Sequence, residues 1–376
     1  MALGNLYNGN WGVADRGTLC HFRKNDMDGS AQVSNRNARV LRLPSGRRIG
    51  VTEFGDPAGL PVLAFHGAPA SRSMFDVTDQ DAQRLGLRII AFDRPGYGLS
   101  PLDYGATLER RTQAFAELAG ALELERFSII GVSGGGPYAV ALAARLRDRI
   151  AALALISPLG PVAEISEPHH IFQTHAQAGD GAHGEAASHV RLSFGHRAFF
   201  LDLPRHPWVL RVNAEVAMRS FRMAPRLFAQ MFAHLLPEAD RDVVADAAAT
   251  QSIVDMTLEA TREGIGGGIA DLEIYAAPWD VDYAAITART KVWQGLDDLI
   301  VPVEAAVHLA RVIRGCELER IPGAGHFWVY RHIAPVLAEL REQIVGTKRD
   351  VPELVLAPDF AGSSDAPAVA LSRSTA

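Results

Sequence analysis

The sequence predicts an α/β protein: a mostly parallel β-sheet flanked by helices, with a helical cap inserted into it. Two patterns carry this expectation. Short continuous apolar runs at 62–65, 88–92, 127–132 and 152–156 alternate with helical stretches at 75–85, 107–122 and 137–146. Runs of that kind suit strands buried on both faces, and strand–helix–strand order implies parallel pairing. The alternation then stops between Ser157 and about Ile286. That stretch holds amphipathic, Ala- and Arg-rich helical segments, such as 208–236 and 240–263, with no convincing strand. It is too long to be a loop, so it reads as a cap.

Taken in order, residues 1–38 are rich in Asn, Gly and Asp without periodicity and are expected to form a flexible extension. Alternating segments at 39–43 and 48–54 then flank Pro44-Ser45-Gly46, a hairpin signal. The sheet domain is expected over 39–160 and 287–346, with the cap at 161–286. After the cap the pattern resumes with a strand at 291–294, a helix at 303–313, a strand at 317–321 and a helix at 328–345. Residues 347–376 are Pro, Ala and Ser with little to bury, an expected disordered tail.

Length and composition set limits. The 376 residues allow two ordinary domains or one large α/β domain with an insertion. With 48% apolar and 21% charged residues the chain is ordinary for a soluble globular protein. A net charge of −6 gives no reason to expect nucleic acid or an anionic membrane as a partner. Cys20 and Cys316 lie far apart and match no metal or redox spacing. The first residues lack a basic start followed by an apolar core, and no apolar run approaches membrane-spanning length. The expectation is a cytoplasmic protein.

The chemistry is organised around Gly131-Val132-Ser133-Gly134-Gly135, a G-x-S-x-G turn between an apolar run and a helix. The turn strains Ser133, and glycines on either side let the chain pass without a Cβ clash. A serine hydroxyl needs a base to take its proton, and the base needs a third group to fix its tautomer. His326, in Gly325-His326, follows one later strand, and Asp297-Asp298 follows another, both at the sheet edge that carries Ser133. The adjacent pair leaves the acid open between Asp297 and Asp298. His332 is the nearest competing base, but it falls in the last helix, facing outward. Backbone amides must also receive the charge that develops on an attacked carbonyl. Gly134, after the nucleophile, and Ala68, in His66-Gly67-Ala68-Pro69, are the expected donors.

With those residues assembled, the chain resembles an α/β-hydrolase from about Arg39 to Val345. The matching stretches are His66-Gly67, Asp93-Arg94-Pro95-Gly96-Tyr97-Gly98, Gly131-Val132-Ser133-Gly134-Gly135, Gly295-Leu296-Asp297-Asp298 and Gly325-His326, in the family's order. The stretches from His66 to Arg72 and from Gly134 to Tyr138 are similar to a bacterial subgroup of capped hydrolases. The resemblance implies Ser133 as nucleophile, His326 as base, Asp298 as orienting acid, and Ala68 and Gly134 as anion-hole donors. Relatives that open epoxides or displace halide carry aspartate at the elbow, so serine points to acyl transfer to water. The implied substrate is a small-to-medium carboxylic ester, with no cofactor and no metal. An amidase, aminopeptidase or carbon–carbon hydrolase with the same triad is the alternative. A non-catalytic ligand-binding member of the fold is the alternative of another class. The cap is compatible with a homodimer.

Other features carry less. Met218, Phe221 and Phe228 on the amphipathic cap segment, and Trp279 near the cap's exit, are expected to line the substrate pocket, against the simpler reading that they pack the cap. His169, His170, His175, His183 and Asp180 cluster without a justified metal spacing and read as a polar lid segment. Gly264, Gly266, Gly267 and Gly268 follow a helix and not a strand, so they read as a helix break or close packing. Arg211, Arg219, Arg222 and Arg226 read as a solvated helix face.

Overall fold

Strand β1 (Arg39–Arg42) turns back through Gly46, at φ +83°, into β2 (Arg48–Gly55). The computed structural model describes residues 38–166 and 193–346. The tail, nearly all of the expected extension and the His169–Asp180–His183 cluster lie outside them. The parallel strands follow as β3 (Leu60–Phe65), β4 (Leu87–Phe92), β5 (Phe127–Val132), β6 (Ile150–Ile156), β7 (Arg289–Gly295) and β8 (Glu317–Ile321). The sheet order is β1-β2-β4-β3-β5-β6-β7-β8, with β2 antiparallel to both its neighbours and every pair from β4 onward parallel. Parallel pairing from β4 to β8 puts their carboxyl ends on one edge, where open α/β sheets bind ligands.

Helices α1 (Asp79–Leu85), α2 (Leu108–Ala121) and α3 (Gly136–Leu146) connect the first parallel strands. Val62, Leu63, Ala64 and Phe65 of β3 and every residue of β5 are buried, as continuous apolar runs require. Burying one such Val, Leu, Ile or Phe side chain contributes about 1.5–3 kcal/mol, so the central strands anchor the fold.

Between β6 and β7 the described residues form helices and no strand: α4 (Val162–Ser166), α5 (Phe194–Arg197), α6 (Pro207–Met223), α7 (Pro225–Ala233), α8 (Glu238–Ala245), α9 (Ala247–Ala260) and α10 (Gly266–Ala276). The two long amphipathic segments are each broken once. Pro225 excludes its predecessor from helical geometry, and Ala224 sits at φ −147°, ψ 68°. Asp246 leaves the helix at ψ 129° and accepts from the Ala249 amide at 2.8 Å, ending α8 and capping α9. The glycine run opens α10. A Cβ on Gly267 would stand 2.5 Å from the Gly96 carbonyl oxygen, so close packing explains it. The chain finishes the domain with α11 (Val303–Val312) and α12 (Val329–Val345), the latter kinked at His332 ahead of Pro335. Among the described residues no helix is long and apolar enough to cross a membrane.

Candidate active site

Strand β5 delivers Ser133 at its carboxyl end with φ +51°, a left-handed conformation that costs a non-glycine residue about 1–3 kcal/mol. The flanking glycines make the turn sterically feasible. A Cβ on Gly131 would lie 2.6 Å from the Ala139 Cβ, and one on Gly135 would lie 2.4 Å from the Phe65 carbonyl oxygen. The strain holds the Ser133 hydroxyl clear of its own backbone.

The loops after β7 and β8 meet that hydroxyl. His326 Nε2 lies 3.1 Å from Ser133 Oγ, and His326 Nδ1 donates to Asp298 Oδ2 at 2.7 Å. Asp298 is buried and also accepts from Gln294 Nε2 at 3.1 Å and from the Ile300 and Val301 amides at 2.9 Å each. Burial pushes its carboxyl upward, but the imidazole and the amide donors outweigh burial and hold it below the usual range. His326 is the reciprocal case. Burial disfavours its cation, yet Asp298 and then Asp240 outweigh burial and raise it above an ordinary histidine. Asp297 points away into solvent, its amide donating to the Ala324 carbonyl at 2.9 Å. The structure therefore brings Asp298, and not its neighbour, to His326. His332 is half-buried and stacked on Trp328 at 6.5 Å, not outward-facing as expected.

The loop after β3 closes the other side. A Cβ on Gly67 would lie 3.4 Å from the Ser133 Cβ, and one on Gly134 would lie 3.1 Å from the Ala68 Cβ. Ala68 and Gly134 thus stand side by side next to Ser133. His66 is fully buried, its Nε2 accepting from the Arg94 amide at 3.1 Å. Burial first, and then Arg94, pushes it well below the usual range, so it is a neutral structural histidine.

The four expected pocket residues are placed otherwise. Phe221 packs edge-on against Phe228 at 5.6 Å, in a cluster with Ala229, Val254, Met218 and Leu258. Thr261 donates to the Met218 sulfur at 3.4 Å. These residues build the interior of the helical insertion, because α6 folds its apolar stripe onto α7 and α9. Trp279 is buried beside a groove of about 550 Å³, shared with Thr107, Arg145 and Asp280, whose lining contains none of Ser133, His326 or Asp298. Such packing gives no reason to count any of the four as a substrate contact.

Sequence reasoning missed a set of buried polar groups around the site. Asp271 on α10 is fully buried and receives Arg94, Tyr97 at 2.8 Å, Tyr138 at 2.5 Å and Arg111 at 3.5 Å. Burial opposes its charge, but Arg94 and then Arg111 hold its carboxyl below the usual range. One turn on, Tyr275 donates to the Gly134 carbonyl at 2.7 Å. Asp93 takes the Arg72 guanidinium at 2.6 Å and the Leu99 amide at 2.8 Å, and Glu259 on α9 takes the same guanidinium at 2.7 Å. Asp240 on α8 accepts from the His326 and Phe327 amides at 2.7 Å each. One signal was available: Asp271 stands alone in the apolar run Ile269-Ala270-Asp271-Leu272, and a buried charge needs a partner.

Comparison with known proteins bears on the family and the fold. A family model described as the alpha/beta hydrolase family matches residues 62–339. The chain is 26% identical over 294 residues to 2-hydroxymuconate semialdehyde hydrolase of Pseudomonas putida, covering 77% of this chain and 88% of that one. It is 24% identical over 304 residues to 2-hydroxy-6-oxo-2,4-heptadienoate hydrolase, also of Pseudomonas putida, covering 79% and 93%. Among solved structures, an esterase from Exiguobacterium antarcticum superposes with a TM-score of 0.57 at 18% identity, covering 81% of this chain and 98% of that one.

Proposed function

The chain belongs to the alpha/beta hydrolase family, and on that footing we propose that it is a serine hydrolase cleaving a small-to-medium carboxylic ester through an acyl-enzyme intermediate. One observation carries the reading: a strained serine at φ +51° with an imidazole nitrogen 3.1 Å from its hydroxyl and a buried carboxylate 2.7 Å behind that imidazole. His326 takes the Ser133 proton as Oγ attacks the ester carbonyl carbon. The carbonyl oxygen gains the negative charge, which the Ala68 and Gly134 amides bind. The imidazolium, stabilised by Asp298, returns its proton to the departing alkoxide, leaving an ester on Ser133. Water then attacks that ester with His326 again as base, and the acid is released as Ser133 recovers its proton.

A hydrolysis screen with aryl esters of graded acyl length, aryl amides and lactones tests the substrate class, with Ser133→Ala as control. Ester turnover should fall by several orders of magnitude in the variant, with a residue from the anion hole and binding. An organophosphonate should add its mass at Ser133 in the native protein. Labelling at another serine, or equal rates on amides and esters, overturns the reading. The match to the two Pseudomonas putida hydrolases over most of their length favours one second reading, cleavage of an activated carbon–carbon bond in a substrate like theirs. Consumption of 2-hydroxymuconate semialdehyde faster than any ester would select it.

A further inference from the structure

Among the described residues, Asp240 is the carboxylate of the insertion that contacts the loop carrying the base. It lies in the first turn of α8, fully buried, and both its oxygens are used on neighbouring amides. The His326 amide donates to Oδ2 and the Phe327 amide to Oδ1, each at 2.7 Å. Gly325 makes room for it. A Cβ there would stand 2.2 Å from the Asp240 Cγ and 2.3–2.4 Å from its oxygens. The glycine before His326 is therefore the recess that admits a carboxylate from another element. Apolar packing reinforces the contact: Val244 of α8 and Leu236 before it share a cluster with Ile300 and Phe327, which flank Asp298 and His326 in sequence.

From this geometry we infer that Asp240 is a positioning residue for His326, a two-point clamp that makes the orientation of the base depend on the docked α8 helix. Two oxygens gripping consecutive amides fix both translation and tilt of the loop, which one hydrogen bond would not do. The inference rests on the serine-hydrolase reading for its role in turnover, but the clamp itself is a statement about His326. Its electrostatic consequence has a definite sign. The groups acting on Asp240 are the two amides, the His326 imidazole and Asp298 from the β7–α11 loop. Nearby, Arg241 of α8 donates to the Leu236 carbonyl at 3.1 Å, and Arg331 of α12 to the Asp242 carbonyl at 2.7 Å. Burial outweighs the amides and the imidazole and raises the Asp240 carboxyl above its usual value, while Asp240 in turn favours the His326 cation. An amide side chain in its place removes that charge and sets an NH₂ against a backbone N–H.

The experiment follows the His326 imidazole by nitrogen-resolved NMR titration in the native protein, Asp240→Asn and Gly325→Ala, beside the pH dependence of Ser133 phosphonylation. Both variants should titrate His326 lower by about one pH unit, the size of effect a neighbouring charge commonly has. The phosphonylation rate plateau should fall roughly tenfold, part of what a general base contributes, with its acid limb moved to lower pH. A residue that only held the fold together would lower the melting temperature and leave the limb in place. In an Asp240→Ala background, Gly325→Ala should cost little more, because the carboxylate it would strike is gone. An unchanged His326 titration in a folded Asp240→Asn protein overturns the clamp. A native protein whose His326 responds to Asp240 but whose Ser133 never reacts supports the clamp and sinks the serine-hydrolase reading alone.

Discussion

Ser133, His326 and Asp298 come from the ends of three strands, and each is held by groups that fit one role. Asp298 spends Oδ1 on the Ile300 and Val301 amides and presents Oδ2 to the imidazole, which fixes the tautomer with its proton on Nδ1. Asp298→Asn should therefore cost up to about 10⁴-fold in kcat, by analogy with serine proteases that lose this acid, and Asp297→Asn should cost little. Measuring kcat at saturating ester for the pair checks it, and a crippled Asp297→Asn enzyme would refute the assignment. The pH profile has a worked sign. The base must be neutral to act, and its carboxylate neighbours hold His326 above the ordinary 6.5. The rate should thus rise with pH through a midpoint above that value. A midpoint at or below it contradicts the electrostatics described.

At the scale of elements, the helices between β6 and β7 show how an amphipathic stripe divides its uses. Phe221 is 5% exposed and packs on Phe228 within the insertion, so Phe221→Ala removes a ring from a small core. A loss of about 3–5 kcal/mol is expected, seen as a lower melting temperature. The ratio of kcat/KM between short and long acyl esters should stay constant. A changed ratio with unchanged melting would return Phe221 to the substrate pocket. The outward residues of the same helices, Trp208, Val212 and Val216, recur every four positions and stay exposed. The apolar pattern alone did not distinguish the two faces.

Across the whole molecule, among the described residues, acids from the insertion reach the sheet domain: Asp240 to the His326 loop, Glu259 to Arg72, and Asp271 to Arg94 and to Arg111 of α2. Asp271 is fully buried and pairs with two arginines. Removing it strands two buried guanidinium groups, so Asp271→Ala should destabilise by about 3–5 kcal/mol, far beyond a surface change. Urea unfolding measures this. A loss below about 1 kcal/mol would mean that water reaches the two arginines once the acid is gone.

The alternation of apolar strand and amphipathic helix was legible on either side of the helical stretch between β6 and β7, because strands buried on both faces and turns needing glycine leave local marks. So was the serine turn, whose constraint lies within five consecutive residues. Even the order of nucleophile, acid and base was readable, since each closes a strand. The choice of Asp298 over Asp297 came from the family resemblance and not from the residues themselves, because it depends on how one turn is rotated toward a histidine 28 positions away. Asp240 was not legible, since it lies 86 positions from the amide it holds and looks, in sequence, like any acid in the first turn of a helix. Met218, Phe221 and Phe228 were read as candidate substrate contacts, and only packing showed them filling the insertion's own interior. Local chemistry writes itself into neighbouring residues, whereas a contact between distant segments leaves no periodicity and exists only once the chain has folded.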